Sequence, residues 1–193
     1  MKRTVWTFGL ISGCILSVMM LLTIPFMDRI GFDRGMVIGY TTMVLAFLLV
    51  YFGVRSYRDN VAGGTVGFGR AFTVGSLIVL IASACYVATW QVIYHRIAPD
   101  FLANMQAHMV EKTRASGASP EAVQQKIAEM QAFAEMYQNP FINAAITFLE
   151  PLPVGLVFAL VTAGVLSRAC RGEATESSGV VAAGAVASGS LVR

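Results

Sequence analysis

Four long stretches of the chain carry almost no charge, and they leave few folds open: Thr4 to Met27, Gly35 to Val54, Ala71 to Tyr94, and Phe141 to Ser167. Each reaches or exceeds the ~20 apolar residues that a helix needs to cross ~30 Å of hydrocarbon. A backbone in lipid must satisfy its own hydrogen bonds, so stretches of this kind read as membrane-spanning helices. Only the last carries an ionisable carboxylate, Glu150. The composition agrees: 13% of residues are charged and 56% are hydrophobic, whereas about a quarter of a soluble domain is charged.

Orientation follows from the basic residues, which resist translocation. Lys2 and Arg3 precede the first span, Arg55, Arg58 and Arg70 flank the loop between the second and third, and Arg168 and Arg171 follow the fourth. Both termini are therefore predicted to be cytoplasmic. The segment between the third and fourth spans then lies outside. Its Arg96, Lys112, Arg114 and Lys126 are outnumbered by Asp100, Glu111, Glu121, Glu129 and Glu135. The net charge of +3 is small and scattered, so it does not suggest nucleic acid and no such partner is expected.

That outside segment reads as two amphipathic helices. Leu102, Met105 and Met109 form one apolar stripe, and Val123, Ile127, Met130, Ala134 and Tyr137 form the other. Between them, Gly117 stops one helix, and Ser119-Pro120-Glu121 starts the next with a cap, a first-turn proline and a first-turn acid. Mutual burial of the stripes predicts an antiparallel hairpin. The expected fold is thus all-α and polytopic. One domain over 1–168 has spans of about 4–27, 35–54, 71–94 and 141–167, with an extracytoplasmic helical hairpin over 97–139 between the third and fourth. Residues 169–193, mostly Ala, Gly, Ser and Val, read as a flexible cytoplasmic tail.

The chemistry in the sequence is sparse. Arg55, Arg58 and Arg70 surround the glycines Gly63, Gly64, Gly67 and Gly69, so they are candidates for lipid-phosphate contacts through guanidinium hydrogen bonds. The glycine spacing matches neither the P-loop nor the dinucleotide fingerprint, and a basic turn resting on an anionic leaflet explains the same residues. Met105, Met109, Met130 and Met136, with His95 and His108, raise the question of a soft-metal site. Their helical spacing is that of core packing, so no metal and no cofactor are expected. Small residues at four-residue spacing, such as Gly9 and Gly13 or Gly155, Ala159 and Ala163, predict close helix packing.

Glu150 is the sharpest feature, because a charged side chain at bilayer depth is costly. It lies nine residues after Phe141, about 13 Å in at about 1.5 Å per residue. Pro151 and Pro153 donate no backbone hydrogen bond and predict a break there. Free carbonyls beside a carboxylate are the arrangement of discontinuous transporter helices, which makes Glu150 the candidate ion or proton site. A kinked span stapled by a hydrogen-bonded glutamate is the structural alternative.

At Phe52-Gly-Val-Arg55-Ser-Tyr-Arg58-Asp59, Phe68-Gly-Arg-Ala-Phe72 and Glu150-Pro-Leu-Pro-Val-Gly155-Leu, the chain resembles the DUF4199 family of bacterial membrane proteins over about residues 1 to 170. The resemblance implies a bacterial inner (plasma) membrane location and a four-span layout, and it supplies no activity. The sequence contains no paired catalytic carboxylates, no nucleophile with a nearby base and no clustered metal ligands, which leans against an enzyme. The leading expectation is a non-enzymatic scaffold or accessory protein that binds a membrane-protein partner or a second copy. The alternative is a small transporter or proton-coupled channel subunit using Glu150.

Overall fold

The computed structural model describes residues 1–167, which contain no strand. The predicted tail over 169–193, with Cys170 and Arg171, and Arg168 before it, lies outside the described residues. Helix α1, Lys2–Thr23, runs through a 3-10 turn, Ile24–Phe26, into the short α2, Met27–Ile30. Gly31, at φ 84°, turns the chain into α3, Phe32–Asn60. Helix α4, Phe68–Val92, closes in a π turn, Ile93–Ile97. Then come α5, Phe101–Ala115, α6, Pro120–Tyr137, and α7, Pro140–Leu149. A last helix, α8, occupies 151–167.

Four segments are long and apolar enough to cross a membrane: Lys2–Phe26, Phe32–Asn60, Phe68–Ile97 and Pro140–Ser167. The second and third overrun the predicted bounds at both ends. Asp33, Arg34, Arg55, Arg58 and Arg70 sit on helical turns beyond the apolar run; charge ends the hydrophobic stretch without ending the hydrogen-bonded helix.

Helix α4 is the centre of the bundle and packs on α1, α3 and α7. Small residues make this possible. A Cβ at Gly13 would come within 2.7 Å of Cys85 Cβ, and one at Gly9 within 2.8 Å of Ile81. On another face, a Cβ at Gly75 would come within 3.0 Å of Ala159 Cβ, and Gly155 lies against the Val79 side chain, which docks α8 on α4. Between these contacts Phe47, Val50 and Val54 of α3 and Val74, Ile78 and Val79 of α4 are fully buried. Polar groups join the helices where lipid offers no competing partner. Ser12 Oγ donates to the Ala46 carbonyl (3.1 Å), Thr89 Oγ1 to Ser17 Oγ (2.7 Å), and Gln91 Nε2 to Asn143 Oδ1 (3.0 Å).

The hairpin forms, and its turn is built as the sequence predicts: Gly117 adopts φ 76°, and Ser119 Oγ accepts from the Ala122 N–H at 3.3 Å. Its inner face meets the bundle as well as itself. Leu102 and Met105 share one apolar cluster with Ala134 and Tyr137 of α6, as expected, and with Phe133 of α6 and Met20, Trp90 and Ile93 of the bundle, while Met109 lines the space between hairpin and bundle. The groove between α5 and α6 is lined by Ala103, Gln106, Ala107 and Val110 opposite Ile127 and Met130. The end of the bundle adds apolar surface to the same stripe, and Gln106 Nε2 ties α5 to the Met130 carbonyl at 2.6 Å.

Candidate functional site

Glu150 owes its position to two missing donors. Pro151 and Pro153 leave the carbonyls one turn earlier without partners, so α7 ends at Leu149 and Glu150 becomes a single turn residue (φ −67°, ψ −57°) before α8 resumes. The break lies ten residues beyond Pro140 in the Pro140–Ser167 span, about 15 Å in at about 1.5 Å per residue. From α4, Tyr86 Oη donates to Glu150 Oε2 at 3.0 Å. Other side chains hold α7 in register. Asn143, 1% exposed, accepts from Gln91 and reaches the Tyr137 carbonyl, while Tyr137 Oη lies 3.2 Å from Thr147 Oγ1. Burial raises the Tyr137 hydroxyl above the usual phenol range, so it stays neutral.

Glu150 and Tyr86 border a cavity of about 400 Å³ that extends from mid-span to the underside of the hairpin. Leu16 and Met20 of α1, Met36, Tyr40 and Met43 of α3, and Trp90 of α4 form its walls, with Ile146 of α7. Phe101, Leu102 and Met105 of α5 and Phe133 and Tyr137 of α6 form its roof. Aromatic contacts lock that roof in place: Trp90 meets Phe101 edge-on at 5.1 Å, and Phe133 stacks on Tyr137 at 5.3 Å. Gly39 leaves part of the wall open, since a Cβ there would meet nothing within 4 Å.

The hairpin end of the cavity is polar. Lys112 Nζ donates to Asp33 Oδ1 at 2.7 Å, His108 Nε2 lies 3.8 Å from the same oxygen, and the His108 ring stacks on Phe32 at 5.1 Å. These contacts fasten α5 to the start of α3. Glu150 differs: no lysine or arginine is among the residues lining the cavity, and Tyr86 is its hydrogen-bond partner.

The arginines singled out from the sequence lie at the other end of the bundle. Asp59 holds two of them, with Arg58 Nε at 2.7 Å and Arg55 Nε at 3.6 Å. Arg70 is on the first turn of α4. The methionines are divided: Met105 and Met109 line the cavity, Met130 lines the groove beyond it, and Met136 is exposed. Tyr86, Asn143 and Gln91 had no sequence signal, because a Tyr, Asn or Gln within an apolar run gains meaning only from the helix opposite.

The family model described as "Protein of unknown function (DUF4199)" matches residues 7–168. Comparison with curated proteins and with solved structures finds no match.

Proposed function

The chain belongs to the DUF4199 family, and from its cavity we propose that it is a membrane-embedded, non-enzymatic binding protein for a lipophilic small molecule, of the carrier or receptor class. The supporting observation is the cavity itself. Its volume of about 400 Å³ falls within the roughly 300–1,000 Å³ of small-molecule sites, and an apolar wall with a few convergent polar groups is their usual make-up. A scaffold expects a packed interior; here the bundle leaves room beside Glu150, the residue on which the transporter reading rests. In this reading the membrane is the bacterial inner membrane, the hairpin faces outward and the termini face the cytoplasm, as the basic residues suggest. Self-association of the bundle remains compatible with it.

Trp90 lines the cavity, whereas Trp6 is 57% exposed near the opposite end. In a Trp6→Phe background reconstituted in lipid nanodiscs, the neutral probe N-phenyl-1-naphthylamine should quench Trp90 saturably. Gly39→Phe fills the open wall and should abolish that saturable component. Equal, non-saturating quenching in parent and variant would reject the proposal.

A further inference from the structure

Glu150 sets the chemistry of the ligand, an inference that rests on the binding function just proposed. A carboxylate at bilayer depth is stable when it meets a cation or a set of strong donors. Glu150 has one donor, the Tyr86 hydroxyl at 3.0 Å on Oε2. The other carboxylate near the cavity, Asp33, is already matched by Lys112 at 2.7 Å, with His108 beside it. The titratable groups that interact with Glu150 from the packed helices are phenols, Tyr86 of α4 and Tyr137 of α6, and Tyr40 of α3 lines the same cavity. Phenol and indole faces attract cations, and the thioethers of Met20, Met36, Met43 and Met105 are soft, polarizable surroundings for a bulky organic ion. An anion in the same space would face the carboxylate with no lysine or arginine in the lining to offset it, the lining's His108 being already beside Asp33.

We infer that the cavity takes a lipophilic cation, an aromatic or alkyl amine or quaternary onium ion, whose charged centre sits against the Glu150 carboxylate and whose apolar arms fill the space between Met43 and the hairpin. Tyr86 orients the carboxylate and does not neutralise it.

Tetraphenylphosphonium and tetraphenylborate share a shape and differ in sign, and they test the charge. In nanodiscs made of phosphatidylglycerol alone, which offers no competing amine, the full chain should bind tetraphenylphosphonium saturably, read by Trp90 quenching in the Trp6→Phe background. Tetraphenylborate should show only partitioning. Glu150→Gln should weaken the phosphonium at least about tenfold relative to N-phenyl-1-naphthylamine, the scale of losing one charge contact. Retained binding of that neutral probe shows that the variant is folded. Glu150→Asp, which keeps the charge, should retain the preference for the cation. Neutral-probe binding without any preference for the phosphonium, or a phosphonium affinity that Glu150→Gln leaves unchanged, would overturn the inference while leaving the binding function standing. Loss of saturable binding by every probe would overturn both.

Discussion

Glycine shows most directly how single residues set this bundle. Gly155 lies against the Val79 side chain, with Phe47 3.0 Å from where its Cβ would be, so Gly155→Ala must displace a buried valine. The expected cost is about 1–3 kcal/mol, measurable as a lower thermal midpoint in detergent or nanodiscs. Gly164, on the same helix, has nothing within 4 Å of its Cβ position, and Gly164→Ala should stabilise by up to about 1 kcal/mol through helix propensity. The contrast between the two is the test, since composition alone ranks them equally. Legibility at this scale was uneven for one physical reason. Glu150 stands out in the sequence because its cost is local to its own span. Tyr86, its partner 64 residues away, becomes visible only once the two helices are side by side.

At the scale of elements, the hairpin is two helices held by one cap, one turn and a few contacts to the bundle. Ser119 Oγ accepts the Ala122 N–H, and removal of such a cap costs about 1 kcal/mol. Ser119→Ala should therefore raise amide exchange in the first turn of α6. The Glu121 carboxyl is held below its usual range by its own backbone N–H and then by the Ser119 side chain. A lowered folded-state value means that this contribution is present above the ordinary carboxylate pKa and is lost as pH falls through the folded value. The first turn of α6 should accordingly fray in acid, and a Glu121→Gln chain should not show that pH dependence. Lys112→Glu reverses the contact with Asp33 and should loosen α5 from α3. The contact is exposed, so the expected effect is small and reads as a modest rise in protease cleavage around Gly117. The periodicity of the sequence revealed both helices and their turn. It found the contact of Leu102 and Met105 with the Ala134 and Tyr137 end of α6 and missed Met20, Trp90 and Ile93 in the same cluster, because periodicity marks an apolar face without naming every surface it meets.

For the molecule as a whole, the fold sharpens the charge argument for orientation. The antiparallel order of α1, α3 and α4 brings Lys2, Arg3, Arg55, Arg58 and Arg70 to one end of the bundle, with Asp59 as the one acidic residue there among the described residues. The hairpin end, counted over residues 28–34 and 95–139, carries six basic and seven acidic residues. Basic residues close to span ends resist translocation, so the first end should be cytoplasmic and the hairpin should face outward. With the native cysteines replaced, a single cysteine at Ala115 or Ser119 should react with an impermeant thiol reagent added to intact cells. Ala115 ends α5, and Ser119 lies in the turn before α6. A cysteine at Asn60, where α3 ends among the arginines, should react only after the membrane is permeabilised. The reverse pattern would invert the protein. The cavity would then lie in the cytoplasmic half of the bilayer, and the cation would have to reach Glu150 from the opposite side of the membrane.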